Sequence, residues 1–393
     1  MKGLVFLTAV IALGVAGGSA RAQSITRVKD EPTQGTGQSG EKDPLRGSTL
    51  TFDQSVTTQT VGLGETPQSY VPFYGWWLSL RPRWNFNDKL RVQARVDYYK
   101  ELTNSEESTY YREDVFGDIW TDVVYSSPLA AEGRWKNTRL SLAGRALWPT
   151  SKQSQGNGTY VILGTSAGVS QRIPIQGDDA PAFNAARLGL TFSYLHAFTA
   201  ATTPTDYGNF SQRREQVDLS LPSFSDPQLT GLTVVHDTLY AILDTGLQIT
   251  PKLGLTADMV WVSQWHYAPT NNGPITLPTG SFNVPLSPSD QQYTQLTWFI
   301  AALDYDLLDE MSVGLGYYNL ANVIAPDGTV RGPFYGGENN LFWSPEAHFF
   351  FDVTANLDKI FEDATGRYKN QKLKVGQTSD AAREARIKRI ANE

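Results

Sequence analysis

"LGLTADMVWVSQWHYA", residues 253–268, carries two patterns at once. Leu253, Leu255, Ala257, Met259, Trp261, Trp265 and Tyr267 hold one set of alternate positions. Gly254, Thr256, Asp258, Gln264 and His266 hold the other set, together with Val260 and Val262. Successive side chains of a strand point to opposite faces, so the stretch predicts a strand with one apolar, aromatic face and one polar face. A soluble sheet buries the apolar face and wets the other. A membrane barrel does the reverse, with apolar side chains toward lipid and polar ones toward the interior. The rest of the chain decides between the two.

The same alternation recurs in twelve segments, at roughly 48–57, 73–86, 89–101, 117–126, 138–149, 159–171, 186–199, 235–250, 253–267, 292–308, 311–323 and 342–357. Tight turns (Asn87-Asp88, Pro251-Lys252, Asp309-Glu310) follow segments two, eight and ten. Long stretches rich in Pro, Gly, Ser, Thr and Asn, at 102–116, 200–234, 268–291 and 324–341, follow segments three, seven, nine and eleven. Short connections thus fall after even segments and long ones after odd segments. A barrel with two chemically different ends sorts its connections this way. No internal repeat is visible, which argues against a propeller or solenoid.

Sidedness follows from where the charges lie. The second segment has a stripe of Tyr74, Trp76, Leu78, Leu80, Trp84 and Phe86, interrupted at Pro82, opposite Arg81 and Arg83. In the third, Leu90, Val92, Ala94, Val96 and Tyr98 stand opposite Arg91, Gln93, Arg95, Asp97 and Tyr99. Aromatic residues gather at stripe ends. From Tyr74 to Phe86 a tilted strand rises roughly 28–30 Å, close to the ~25 Å apolar band with its two aromatic girdles. The girdle is expected to contain Tyr74, Trp76, Trp84, Phe86, Trp148, Phe198, Trp265 and Tyr267, with Phe342 and Trp343 joining the outer ring.

The chain opens on MKGLVFLTAVIALGVAGGSARAQS, which reads as a secretory leader over residues 1–22, with Ala20-Arg21-Ala22 at its cleavage site. Residues 23–46 have the polar, Pro- and Gly-rich composition of an unfolded segment, 47–357 hold the strands, and 358–393 form a basic tail with a helix beginning at Ser379. Formal charge is −7 and the chain has no cysteine. Disulfides and thiolate metal sites are thereby excluded, and an acidic chain without a basic stripe argues against nucleic-acid binding. Aromatics reach 12% although only 40% of residues are hydrophobic, which suits a chain that displays aromatics outside a large core.

With its leader, its twelve alternating segments and its asymmetric connections, the chain resembles a bacterial outer-membrane β-barrel of the porin-like kind. The resemblance is architectural and rests on no family-specific motif. It implies an all-β, antiparallel up-and-down transmembrane barrel in the outer membrane of a Gram-negative-type bacterium. Short turns and both termini would be periplasmic and long loops extracellular. Lipid and lipopolysaccharide are the partners it implies. The chain departs from the usual pattern in that about forty residues follow Phe349-Phe350-Phe351, where many such barrels end on an aromatic residue.

Propagating the alternation gives an inward set. Its basic members are Arg81, Arg83, Arg91, Arg95, Arg139, Arg145 and Arg187. Its acidic members are Asp53, Asp97, Asp118, Asp122, Asp244, Asp258, Asp304, Asp306 and Asp352. In a closed cylinder of twelve, one wall would be basic and the opposite wall acidic, as in pores tuned by rings of charge. Inward Gly164, Ser166, Gly168, Ser170, Ser312, Gly314 and Gly316 are expected to leave room for a path. The function expected is a channel for small polar solutes, with no cofactor and no catalytic residue.

Two alternatives stand beside it. One is a barrel with a closed interior that acts in adhesion or partner binding through 200–234, with Asp206, Tyr207, Arg213, Arg214 and Glu215. The other is a lipid hydrolase of the outer-rim Ser–His type. His196 falls at the right height for it, but Ser193 points to the other face, as Ser263 does relative to His266. Asp304 and Asp306 lack the glycine and further acidic ligand of a calcium loop and read as a solvated mouth. Gly314 and Gly316 lack the third glycine and helix of a nucleotide fingerprint. The basic tail could dock to an acidic periplasmic partner.

Overall fold

A computed structural model describes residues 44–364 apart from 59, 63–72, 104–111, 113, 131, 157, 177–181, 201, 203–204, 207–227, 230–233, 268–274, 278–279, 283–291, 309, 324–329, 331, 333–339 and 345–346. The leader, the segment 23–43 and the tail beyond 364 lie outside the described residues.

Twelve antiparallel strands close into one barrel. They are β1 (Thr49–Thr57), β2 (Tyr74–Arg81, continued by Arg83–Asn85), β3 (Leu90–Glu101), β4 (Ile119–Pro128, preceded by Asp114–Phe116), β5 (Thr138–Trp148) and β6 (Thr159–Pro174). β7 (Ala185–Thr199), β8 (Val235–Gln248), β9 (Leu253–His266), β10 (Tyr293–Asp306), β11 (Met311–Asn322) and β12 (His348–Asn356) complete the ring. Each strand pairs with its sequence neighbours, and β1 closes the cylinder against β12 from Thr49↔Asn356 to Thr57↔His348. Closure leaves no sheet edge, the condition for β-structure inside hydrocarbon, where an unpaired backbone group costs several kcal/mol. The interruption at Pro82 follows from its missing N–H, yet its carbonyl still accepts from Ala94 N at 3.0 Å.

Connections sort as the sequence predicts. Those after β2, β4, β6, β8 and β10 define a turn end and are ten residues or fewer; at the other end all but the ten-residue β5–β6 connection are longer. In the first, the Asn87 side chain accepts from the amides of Lys89 and Leu90, both at 2.8 Å, an Asx turn. In the β8–β9 turn Thr250 Oγ1 accepts from Leu253 N at 3.0 Å. The opposite, loop end carries two small hairpins, Thr205–Asp206 with Gln228–Leu229 and Ile275–Leu277 with Gly280–Phe282.

Two elements differ from the sequence reading. β12 starts at His348 and not near 342. Phe342 and Trp343 instead fold back over β11, where Tyr317 donates to the Phe342 carbonyl at 2.7 Å and stacks on Trp343. After β12 a short helix, α1 (Leu357–Ala364), turns under the barrel. Asp358 of α1 accepts from Gly47 N at 2.9 Å, and Leu357 N donates to the Ser48 carbonyl, so the start of β1 and the end of β12 are tied together at the turn end.

Burial assigns the faces. Val123, Leu142, Leu163, Leu188, Leu190, Phe192, Leu303, Leu315 and Phe351 are exposed on the convex side, as is Leu255 at its edge. Asp258, Arg95, Asp97 and Asp352 are buried on the concave side. A contiguous apolar belt of this extent is not tolerated in water and marks a lipid-facing surface. The chain has the architecture of an outer-membrane β-barrel.

Candidate functional site

The interior divides into two zones. Toward the loop end it is largely apolar, with buried Glu101 and Gln264 as polar members. Trp120, Leu147, Ile162, Leu195, Ala197, Tyr240, Val260, Val262, Leu296 and Trp298 form one buried cluster reaching from β4 to β10, with Ile242 and Leu320 packed on it. The remaining arc is aromatic: Tyr99 packs on Phe73 and Trp77, and His348 packs on Phe73 and stacks on Tyr318. Val260 and Val262 interrupt the polar face of β9 because that level of the interior is apolar.

Charged side chains begin at the level of this cluster and continue toward the turn end. Arg95, directly opposite Trp120 across β3 and β4, pairs with Asp97 at 2.5 Å, both buried. Arg145 grips Asp122 with Nε at 2.6 Å and an NH2 nitrogen at 2.8 Å, and its guanidinium lies 4.5 Å from the Trp120 ring. Arg187 stands 3.1 Å from Asp244 across β7 and β8, with side chains 23% and 21% accessible. Arg81, Arg83 and Arg91 sit half-buried on β2 and β3, and Arg139 is exposed at the turn end of β5. Asp304 and Asp306 are half-buried on β10. The arginines outside these three pairs concentrate on β2 and β3, while Asp258, Asp304 and Asp306 lie across the barrel on β9 and β10; Asp352 on β12 is separated from β2 only by β1.

Register adds what alternation alone could not reveal. Asp244 lies directly opposite Asp258, and Asp53 directly opposite Asp352. Like charges in such positions are destabilising, so each of these two pairs costs the fold stability. Asp258 is 2% exposed and its Oδ1 has no hydrogen-bond partner. Asp118 has a different task. It accepts from Ser151 N at 2.8 Å and Ser154 Oγ at 2.5 Å, holding the helical turn Lys152–Gly156 between β5 and β6.

At the inward glycines the space a side chain would take is already used. A Cβ at Gly164 would overlap Leu195, one at Gly316 would overlap Phe350, and one at Gly314 would overlap the Asp352 carboxylate. Each glycine is filled by a larger neighbour on the adjoining strand.

The expected girdle residues lie on the convex face near strand ends. Trp84 and Phe86 at the turn end, and Trp148 and Phe198 at the loop end, are exposed; Tyr74, Trp76, Trp265 and Tyr267 are half-buried. Rings adjoin along the loop end, with Phe52–Trp76, Trp76–Tyr98 and Tyr98–Phe116 centroids 5.6, 5.5 and 5.3 Å apart.

The loop end of β7 and β8 holds a constellation the sequence reading missed. His196 and Asp237 face each other across the strands, and His236 joins them. The β8 register shifts between Val235 and Asp237, a bulge that brings consecutive His236 and Asp237 to one side. Strict alternation separates these two residues, which is why they were not grouped. Ser193 is buried on the inner face, away from His196. Tyr207, Arg213, Arg214 and Glu215 lie outside the described residues.

No family model matches the chain, and no curated protein matches it. Among solved structures it is similar to an outer membrane channel of Pseudomonas putida F1 (11% identity, 81% of this chain and 99% of that one, TM-score 0.43). It is also similar to the NanC porin (10% identity, 78% and 98%, TM-score 0.37) and the KdgM porin (6% identity, 78% and 98%, TM-score 0.34).

Proposed function

We propose that the protein is an outer-membrane channel for small polar solutes, with the loop end extracellular, both chain ends periplasmic, and the apolar zone acting as its gate. Lipid and lipopolysaccharide surround the belt in this reading. The observation that carries it is the Arg187–Asp244 pair, which sits at inward positions and still keeps about a fifth of its side-chain surface accessible. Arg187 lies two residues inside the turn end of β7, so this accessibility marks a wetted vestibule at that mouth, whereas Asp352, mid-strand on β12, is sealed. Water therefore enters from the turn end and meets the apolar cluster above. Apolar constrictions gate by dewetting: they stop ions and polar solutes until the ring widens. The opposed charges below set a field across the vestibule, which orients a dipolar solute and disfavours an apolar one.

Single-channel recording in planar bilayers tests this. Native protein is expected to give small, brief steps, and Trp298→Ala, which removes the largest inward side chain of β10, larger or longer ones. Reversal of Arg187 to Glu is expected to move the zero-current potential toward cation preference. Silence from both native protein and Trp298→Ala would overturn the proposal. In that case the long connections at the loop end become the working surface.

A further inference from the structure

We infer that His196, His236 and Asp237 form a binding site for a divalent transition metal, Zn²⁺ or Cu²⁺, on the outer surface of the barrel at its loop end. The inference is independent of the channel reading. Asp237 is the hub. Its Oδ1 lies 2.7 Å from His196 Nδ1, and its Oδ2 lies 2.6 Å from His236 Nδ1. The Tyr194 hydroxyl donates to the same Oδ1. One ligand atom from each of the three residues falls within 4.8 Å of the others. Metal–nitrogen and metal–oxygen bonds of about 2.0–2.2 Å place tetrahedral ligand atoms roughly 3.3–3.5 Å apart, so small side-chain rotations suffice.

Three features make this more than a hydrogen-bonded cluster. Each imidazole presents Nδ1 to the carboxylate, at a distance that an N–H donated from Nδ1 to the oxygen satisfies in the metal-free protein. A metal ion takes the place of these hydrogens when each ring carries its proton on Nε2 and gives its Nδ1 lone pair to the metal. Second, the ligands are set on two hydrogen-bonded strands, with His196 and Asp237 in direct register and His236 turned to them by the bulge. Such a site is largely preorganised. Third, the two rings are held from behind. Phe198 packs edge-on against His196 and Tyr267 packs against His236, both at 4.7 Å between centroids. The side chains stay 23–36% accessible, which leaves an entry path and an open coordination position for water or the Tyr194 oxygen. Two imidazoles and a carboxylate suit Zn²⁺ or Cu²⁺ and disfavour Ca²⁺ and Mg²⁺, which take oxygen ligands. The bound ion would staple β7 to β8 where their long connection departs.

The test uses the full chain refolded into detergent without a polyhistidine tag, titrated calorimetrically with ZnCl2. The chain has four histidines, so His196→Ala/His236→Ala leaves His266 and His348 as an internal control. One Zn²⁺ per chain is expected for native protein, weakened by more than about 100-fold in the double variant, which keeps only one of three ligands. The substitutions lie on the convex face, and heat-modifiable gel mobility reports whether the barrel has closed. Should the double variant not fold, the native protein loaded with one Cu²⁺ carries the test, with an electron paramagnetic resonance signal showing coupling to two nitrogens. Binding below half an equivalent, equal affinity in a folded double variant, or a Cu²⁺ signal without nitrogen coupling would overturn the inference.

Discussion

Gly314 sits on β11 between Asp304 and Asp352, and its missing side chain is the space their carboxylates use. Gly314→Ala drives a methyl group into Asp352, which is fully buried and has nowhere to retreat. Overpacking of this kind costs about 1–3 kcal/mol, so the urea midpoint of the variant in lipid is expected to fall clearly. Gly254→Ala is the control. A Cβ there meets nothing within 4 Å, and the midpoint should stay within about 0.5 kcal/mol of native. Asp122 makes the opposite case, a residue whose loss strands a partner. Asp122→Ala leaves the Arg145 guanidinium in a mostly buried site without its bidentate acceptor, at an expected cost of about 3–5 kcal/mol. An unchanged unfolding midpoint would show that the pair is solvated in the folded barrel. That Arg145 and Asp122 face inward was legible from alternation. That they grip each other was not, because partner choice depends on register between strands.

Element boundaries were legible to the extent that period-two patterning and turn chemistry state them. Asn87-Asp88 and Pro251-Lys252 stop two strands where the sequence says, because Asx geometry and a fixed proline φ act locally. Phe342 and Trp343 mimicked a strand start, since an apolar pair that folds back over a neighbouring strand has the composition of one that continues its own. The bulge at Val235–Asp237 was invisible for a related reason. One extra residue leaves composition untouched and inverts the parity of everything beyond it, hiding His236 beside Asp237. α1 follows β12 directly, and nothing in the alternation of 348–356 announces it. At this scale the lipid-facing stripe makes a graded prediction. Phe192 lies mid-strand on β7, opposite Ala167 and Ala241, whereas Phe198 lies at its loop end. Arginine in place of Phe192 is expected to cost about 2–4 kcal/mol in bilayer unfolding, and in place of Phe198 only about 0–1. Equal costs at the two positions would mean the stripe does not cross the membrane at the height assigned.

For the whole molecule, the account reduces to which surface meets hydrocarbon. Twelve strands without a free edge, an exposed apolar belt and a charge-bearing interior agree on the answer, and both the vestibule and the rim cluster take their places from it. The interior turned out to carry an apolar layer, where a lumen with one basic and one acidic wall was expected. Alternation shows which side chains point inward but not the height at which each meets its neighbours around the ring, so Trp120, Val262 and Trp298 were not seen as one layer. The absence of cysteine allows single labels to be placed cleanly. A small fluorophore attached at Leu190→Cys, and separately at Ser166→Cys, in protein reconstituted into vesicles tests the assignment most directly. Nitroxide-labelled lipid is expected to quench the label at 190 strongly and the label at 166 hardly at all. Strong quenching at 166 with none at 190 would contradict the account.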